Sequence, residues 1–318
     1  MNADLQKGRN FYQLTFEMIE VNFGAAVYRQ MSRWLIEEIK FKIGEVACQT
    51  VGDTTYYYTH QTREQINRFL SKLSGIEVFE LHIVLQEFSS FKSCLSEEDQ
   101  ASLPVSYCHQ WFEDYITEWF TIAKTKIRGR IHFAMEFDKE LNTQPQGVVI
   151  DVQDEGPKPQ PALTVPLKVK YSSSSVEAVQ AFSQLREFWH QLLWPDKYTA
   201  YPFILLIVEA TTTAAVLYSN LLWKRLRDDS NCFGEKGYFL VNKKVILYMN
   251  NLENVHYDLN QLEEAIGLDD VLQAVINKEQ QIAAEMLCAK VTNPIEKAQT
   301  HVRTMIDCFV RSVAYHVS

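Results

Sequence analysis

The stretch YPFILLIVEATTTAAVLYSNLLW, residues 201–223, is the most apolar part of the chain and first suggests a membrane span. A transmembrane helix needs about 20 mainly apolar residues. Glu209 lies near the middle of the stretch, where an acidic side chain costs on the order of 3 kcal/mol. The neighbouring threonines, Ser219 and Asn220 add to that cost, so the net free energy of membrane insertion is close to zero. We therefore interpret the stretch as a helix buried inside a soluble protein.

The distribution of side chains around this helix supports the interpretation. At about 100° per residue, one face is apolar, a second face is more weakly apolar, and Glu209 lies on the seam between them. Such a helix contacts two neighbours. We expect the first face to be buried, largely against a helix at 173–193. Its residues are Phe203, Leu206, Ile207, Ala210, Ala214 and Leu217.

The composition favours a helical protein with a sizeable core. Hydrophobic residues make up 47% of the 318 residues, whereas only 11 are Gly and 9 are Pro. So few helix breakers argue against a disordered chain and against a β-sandwich rich in tight turns. The net charge of −9 argues against a general nucleic-acid binder, because phosphate contacts need clustered Lys and Arg.

Helical periodicity extends along most of the chain. It predicts helices at 8–22, 25–47, 61–94, 107–141, 173–193, 197–229, 240–266, 269–290 and 294–317. Gly267 and the TNP triplet at 292–294 are the predicted breaks between the last three helices. The prediction is an all-α fold, an elongated rod of stacked antiparallel helical hairpins, with one long irregular loop at 142–171.

The ends and the cysteines indicate a cytoplasmic fragment. The six cysteines form no C-x-x-C pair, as expected of free cytosolic thiols. The polar start MNADLQKGRN lacks the apolar stretch of a secretion signal. The chain stops at RSVAYHVS, an apolar helical stretch, and so we interpret it as a piece of a longer protein.

The enzyme alternative is a di-iron carboxylate site. Such bundles take a Glu from each of two helices and a Glu-x-x-His motif from each of two others. The candidate ligands follow that order, with Glu136, then Glu187 and His190, then Glu209, then Glu253 and His256. Two such motifs are close to chance in a chain rich in Glu, and both motif glutamates fall on the polar side of their helices. We therefore predict a protein that is not an enzyme, with no cofactor and no metal.

A basic run on the helix at 107–141 is a candidate contact with acidic lipid or with an acidic partner. It consists of Lys124, Lys126, Arg128 and Arg130. The alternative is an ordinary solvated helix face.

Three linked segments go beyond composition. They are WFEDYITEWFTIAKTKIRGRIHFAMEFDKE (111–140), VKYSSSSVEAVQAFSQLREFWHQLLWPD (169–196) and VILYMNNLENVHYDLNQLEEAIGLDDVLQA (245–274). Together they resemble the MUN domain of the Munc-thirteen (UNC-thirteen) family of vesicle-priming proteins, around its first Munc-homology domain. The marks are WFEDYITEW, EFDKE, YSSSSVEAVQAFSQL, the Pro195–Asp196 corner and MNNLENV. The tryptophan-rich FWHQLLWPD looks more like the non-neuronal relatives.

The resemblance implies one helical fragment, 1–318, of a larger rod. Its N-terminal helices lie at 1–60, its core at 61–290 and its final helix at 291–318. The implied function is non-enzymatic exocytosis priming and tethering, by binding syntaxin-type SNAREs and their Sec-one/Munc-eighteen partner and promoting SNARE assembly. The implied location is the cytoplasm, peripherally at the plasma membrane or vesicles, with neighbouring C-two domains supplying calcium and lipid binding. An unrelated helical scaffold or adaptor is the alternative.

The resemblance also implies a partner site. Synaptic members use an Asn and a Phe three residues apart in a pocket implicated in activating syntaxin. The segment FELHIVLQEF places Glu80 and Ile83 at these positions. Ile83 keeps the apolar character, whereas Glu80 replaces a neutral amide with a charge, so this chain either serves a different syntaxin or does not use the pocket. The alternative role of Ile83 is core packing.

Overall fold

The computed structural model describes residues 26–35, 49–51, 54–56, 75–91, 104–138, 171–229 and 243–317, with single positions at 70, 95, 96, 98 and 100. The helix predicted at 8–22 lies outside the described residues. So does the loop predicted at 142–171, apart from its last residue.

Helices form nearly all of the described structure. They are α1 (Gly75–Ser90), α2 (Glu113–Phe137), α3 (Ser173–Gln191), α4 (Tyr201–Asp228), α5 (Lys243–Asn260), α6 (Leu262–Ala265), α7 (Leu268–Glu279) and α8 (Gln281–Val317). Residues 26–35 are also helical, and a 3-10 helix at Pro104–Phe112 leads into α2. The exception is an antiparallel ribbon of β1 (Gln49–Val51) and β2 (Thr54–Tyr56), in which Thr50 is paired with Thr55. The predicted all-α fold is confirmed.

The chain divides into two compact units. Unit 1 comprises Met1–Ile116 with Gln191–Pro195, and unit 2 comprises Thr117–His190 with Asp196–Ser318. In unit 1, α1 packs against the 3-10 helix. Its buried side chains include Val78 and Leu85 of α1 and Phe112 at the end of the 3-10 helix.

His82 contacts the segment of unit 1 that precedes the Pro195–Asp196 corner. Its Nε2 lies 2.8 Å from the carbonyl oxygen of Leu192, and because a carbonyl only accepts, Nε2 carries the proton. Trp194 stacks on the imidazole with ring centroids 5.9 Å apart, and Phe112 approaches it edge-on. The ring is fully buried, and Nδ1 has no hydrogen-bond partner among the described residues. Burial lowers the pKa of His82 below its ordinary value of 6.5, and the bond to Leu192 opposes this shift.

Unit 2 is built around α4. The most extensive backbone contact of α4 is with α8 and the next is with α5, while α8 also packs on α5 and α7. Trp223 of α4 meets Phe309 of α8 edge-on with ring centroids 5.1 Å apart. Tyr218 and Leu222 of α4 are both fully buried. Burying an apolar side chain contributes about 1.5–3 kcal/mol, so this helix carries much of the unit's core energy.

The membrane question is answered by the burial of α4. By length and composition the helix is able to cross a membrane, yet 61% of its most apolar window is buried inside the protein. The core helix of a soluble protein has this property. The interpretation of residues 201–223 as a buried helix agrees with the structure.

The predicted orientation of α4 needs two corrections. Leu206 and Leu217 are only half-buried, whereas Thr212 and Ser219 are buried in their place. The reason is that each hydroxyl donates a 2.7 Å hydrogen bond to a carbonyl four residues earlier, so these small polar residues enter the core already satisfied. The other four predicted residues, Phe203, Ile207, Ala210 and Ala214, are buried.

The second correction concerns the neighbour of α4, which is chiefly α8 and not α3. Side chains of α3 reach α4, as Trp189 does toward Phe203 with ring centroids 6.2 Å apart. However, α3 is tied more directly to α5 and the turn after α6. Both terminal nitrogens of Arg186 bind the Asp258 carboxylate at 2.8 and 2.7 Å, and Trp189 Nε1–H donates to the carbonyl of Ile266 at 3.2 Å.

The break predicted at 292–294 is also wrong. Pro294 lies inside α8, which runs uninterrupted from Gln281 to Val317. The loss of one backbone hydrogen bond at proline is offset there by a buried face that includes Val291, Ile295 and Ala298. The chain breaks instead at Gln280, with φ 106° and ψ 165°. The break predicted at Gly267, which has φ 69°, is present.

Gln280→Gly is expected to stabilise unit 2. The backbone of Gln280 lies in a region that essentially only glycine occupies, which costs about 1–3 kcal/mol, and the added chain entropy of glycine offsets part of the gain. We expect the free energy of unfolding in urea to rise by about 1 kcal/mol. In the matched variant Gly267→Ala, at φ 69°, it should fall by about as much. A Gln280→Gly protein less stable than the parent would contradict this account.

His82 is expected to make the protein less stable in mild acid. Its pKa is lowered in the folded state, so below pH 6.5 the unfolded chain takes up a proton that the folded imidazole does not. Stability that is present above pH 6.5 should decline by up to about 1.4 kcal/mol per pH unit as the pH falls. Urea unfolding between pH 7.5 and 5.5 should show a steeper decline in the parent than in His82→Gln, whose amide also donates to Leu192.

The control for this pH effect is His132→Gln, since His132 is exposed on α2. The free energy of unfolding of His132→Gln should decline with falling pH as steeply as that of the parent. If the free energy of unfolding declined equally steeply with falling pH in the parent and in His82→Gln, His82 would be ruled out as the cause.

Candidate partner-binding surfaces

The positions that the resemblance singled out lie on α1. Glu80 is exposed and Ile83 is half-buried, one turn apart on the same side of the helix. Beside them Ile76 and Val84 are 72% and 59% exposed, and Glu87 is exposed as well. We call these five residues the α1 face. The opposite side of the helix is buried and consists of Val78, His82, Leu85, Gln86 and Ser89.

The α1 face combines apolar side chains with carboxylates. An exposed Ile and Val offer contact area, while Glu80 and Glu87 favour a partner that presents Lys or Arg beside its own apolar residues. Ile83 is half-buried, so only part of its side chain is available to a partner. The arrangement suits protein–protein contact, and which partner it binds stays a prediction.

The basic run on α2 does not form one continuous patch. Lys124 pairs with Glu209 of α4. Arg130 pairs with Glu177 of α3 and also donates to Gln184. Lys126 and Arg128 are exposed, but residues two apart on a helix point to different sides. Two of the four charges are therefore offset within the fold, and a contact with acidic lipid stays a prediction.

The candidate di-iron ligands do not converge. Glu136, Glu187 and Glu253 are exposed, Glu209 pairs with Lys124, His190 Nε2 lies 2.7 Å from the carbonyl of Ala265, and His256 Nδ1 lies 3.3 Å from Asn260. Glu253 also pairs with Arg303 at 3.4 Å. Across the described parts of the chain, no group of three His, Cys, Asp or Glu side chains is placed to hold a metal ion.

A buried polar network lies where α2 ends and α3 begins, and the sequence did not predict it. The Asp138 carboxylate accepts hydrogen bonds from Ser172 Oγ at 2.6 Å and from the backbone N–H of Ser174 at 3.1 Å. Asn251 of α5 completes the cluster, since it accepts from the Ser172 N–H at 2.9 Å and donates to Ser172 Oγ at 2.7 Å. Asp138, Ser172 and Asn251 are fully buried. We call this set, with Tyr218, the serine network.

Tyr218 links the network to the central helix α4. Its hydroxyl lies 3.1 Å from Ser174 Oγ. Burial raises the pKa of Tyr218 well above its ordinary value, so the hydroxyl stays protonated and able to donate. Asp138 accepts from the first turn of α3, where the helix dipole favours a negative charge. The network therefore joins α2, α3, α4 and α5.

The serine network also explains the quoted motifs. Asp138 comes from EFDKE, Ser172 and Ser174 from YSSSS, and Asn251 from MNNLENV. These segments are far apart in sequence and meet in one cluster. Asp138 and Ser172, which are 34 positions apart in the sequence, are hydrogen-bonded directly to each other. The signal available in the sequence was that three unusual polar motifs occurred together, and only the fold shows why.

Asp138→Ala is expected to destabilise the protein strongly. The change leaves Ser172 Oγ and the Ser174 N–H buried without their acceptor, at a cost of about 1–3 kcal/mol per group. We expect a loss of about 3 kcal/mol in the free energy of unfolding, measured in urea. The exposed Asp228 provides the control, and Asp228→Ala should change it by less than about 0.5 kcal/mol. Equal effects of the two substitutions would contradict the role given to the network.

Comparison with known proteins gives a distant and consistent match. The chain is 24% identical over 319 residues to Protein unc-13 homolog 4B of Drosophila melanogaster, covering 99% of the chain and 25% of that protein. It is 24% identical to BAI1-associated protein 3 of Mus musculus, covering 85% of the chain and 20% of that protein. It is 24% identical to Protein unc-13 homolog D of Homo sapiens, covering 76% of the chain and 20% of that protein. No protein-family profile matches the chain.

These comparisons confirm the resemblance deduced from the motifs. The chain is similar to unc-13 homolog 4B along nearly all of its own length. It spans about a quarter of the length of unc-13 homolog 4B and about a fifth of the other two.

Proposed function

We propose that this chain is a helical module of an exocytosis priming and tethering factor, which binds syntaxin-type SNAREs and their Sec-one/Munc-eighteen partner and promotes SNARE assembly. The observation that carries the proposal is the match to a part of unc-13 homolog 4B, which covers 99% of this chain and 25% of that protein. The module acts by binding and not by catalysis. Its location is the cytoplasm, peripherally at the plasma membrane or vesicles, and membrane contact belongs mainly to other parts of the protein.

The α1 face supports the proposal as the site of contact. Its Glu80 and Ile83 take the positions of the syntaxin-activating pair in the family that the motifs resemble. Both side chains are accessible on one side of α1, next to the exposed Ile76 and Val84. The carboxylate at position 80 changes the preferred partner toward a syntaxin segment carrying Lys or Arg, because an unpaired charge opposite an apolar or acidic residue would be desolvated at a cost.

The test is acceleration of SNARE assembly. The folded chain is added to syntaxin held by Munc-eighteen, and assembly with the other SNAREs is followed by fluorescence energy transfer. We expect several-fold faster assembly. The proposal is rejected if the chain neither accelerates assembly nor binds syntaxin or its Munc-eighteen complex in a pull-down assay.

Substitutions on α1 test the site separately from the function. Val84→Asp places a charge on an exposed apolar position and should reduce the acceleration at least five-fold without altering the helical circular dichroism spectrum. Glu80→Asn restores the neutral amide of the synaptic members and should raise activity toward a synaptic syntaxin. Glu296→Asn, at an exposed position on α8, is the matched control and should have no effect. If acceleration occurs but Val84→Asp leaves it unchanged, the function stands and the α1 face is not its site.

The alternative is a helical scaffold with unrelated partners. One relative is named for its association with BAI1, which makes an adaptor that binds BAI1 the alternative to examine. A chain that binds a BAI1 fragment and leaves SNARE assembly unchanged would favour that alternative.

A further inference from the structure

A stripe of α2 is apolar and yet exposed. Phe133 and Phe137 are 64% and 57% exposed, with ring centroids 4.4 Å apart. Ile122, which is 46% exposed, lies on the same side of the helix. Lys126 and Gly129 lie between them and are exposed too. These five residues lie on one side of the helix over about four turns, or about 22 Å, because their positions are 122, 126, 129, 133 and 137. We call these five residues the α2 stripe.

The stripe borders a groove. The groove has a volume of about 490 Å³ and lies between α2 and the first turns of α3. Gly129, Phe133 and Phe137 line one side, and Ser173 and Glu177 line the other. A concave apolar groove of this kind suits an inserted helix better than the flat surface of a bilayer.

Gly129 is not explained by packing inside the chain. It lies in the interior of the 25-residue helix α2, where glycine is about 0.5–1 kcal/mol less favourable than alanine. A Cβ placed on Gly129 would meet no atom within 4 Å, so no neighbour in the fold requires its absence. A glycine in the middle of an exposed apolar stripe permits a second backbone to approach closely.

The charges beside the stripe indicate the sign of the charge that the occupant carries. Arg130 is offset by Glu177, which its Nε approaches to 2.9 Å. Lys126 is exposed, and no ion pair joins it to any residue that the structure describes. The stripe therefore presents one uncompensated positive charge among apolar side chains. An acidic side chain on the occupant would satisfy it.

We propose that the α2 stripe and its groove bind an acidic amphipathic helix of a partner protein. Its apolar side chains pack on Phe133 and Phe137, its backbone crosses α2 at Gly129, and a carboxylate pairs with Lys126. This site is separate from the α1 face, and the inference does not depend on the proposed function.

The test uses a defined probe. A synthetic helix of about 20 residues carries leucines on one face and glutamates beside them, and a second peptide has lysines in place of the glutamates. Fluorescence anisotropy should show binding of the acidic peptide at least ten-fold tighter than the basic one. Lys126→Glu should reverse that preference. Equal binding of the two peptides to the parent protein would overturn the proposal.

The aromatic contact is tested by the pair Phe133→Ser and Phe137→Ser, which should weaken binding of the acidic peptide at least ten-fold. The matched control is Tyr257→Ser, because Tyr257 is 63% exposed on α5 and lies outside the stripe. It should leave the affinity unchanged. A similar loss in both proteins would mean unspecific adhesion to exposed aromatic rings and would overturn the site.

Gly129→Ala separates binding from folding. Alanine is the better helix former and its Cβ meets nothing, so Tm should rise by a few degrees. The same substitution should weaken binding of the acidic peptide at least five-fold, because the added Cβ obstructs the close approach of the peptide backbone to α2. A stabilised protein with unchanged affinity would contradict the crossing at Gly129 and would overturn the proposal.

Other occupants give distinct results, each of which would overturn the proposal. If a second copy of the chain filled the groove, sedimentation velocity would show a dimer in the parent protein, and the Phe133→Ser/Phe137→Ser protein would not form it. Flotation with phosphatidylserine vesicles would show binding lost in that protein, if the stripe met lipid. Deletion of residues 142–168 would tighten peptide binding ten-fold, if the chain's own segment filled the groove. With a partner helix as the occupant, none of these changes occurs.

Discussion

Close packing of α4 on α8 is the contact on which unit 2 depends. The contact includes Asn220 of α4, whose Oδ1 lies 3.1 Å from His301 Nε2 of α8. Trp223 of α4 meets Phe309 of α8 edge-on in the same contact. Once α4 is enclosed, its apolar character stabilises the fold and membrane insertion would forfeit that packing.

The serine network depends on that central helix. Tyr218 projects from α4 toward Ser174, so the buried polar cluster has a fixed support. A buried carboxylate is tolerated only with hydrogen-bond partners, and Asp138 finds them in Ser172 and Ser174. The cluster orients α2 and α3 at their meeting point. The groove beside Phe133 and Phe137 is next to this junction, since Ser173 lines it.

The two proposed contact surfaces differ in the chemistry that they offer. The α1 face presents Glu80 and Glu87 beside apolar residues, whereas the α2 stripe presents Lys126. They lie in different units, α1 in unit 1 and the described stripe in unit 2. Surfaces of opposite charge would select different partners.

The sequence by itself determined the all-α class, most helix positions and the burial of Phe203 and Ile207, because helical periodicity is a local property of residues three and four apart. Its motifs also led to the unc-13 relationship. Only the tertiary structure decided that α8 is the main neighbour of α4, that Pro294 lies inside a continuous helix and that Ser172 joins Asp138 to Asn251. These outcomes depend on contacts between residues far apart in the chain, where packing outweighs local preference. The same reason applies to Lys124 and Arg130, whose charges are offset by partners on other helices.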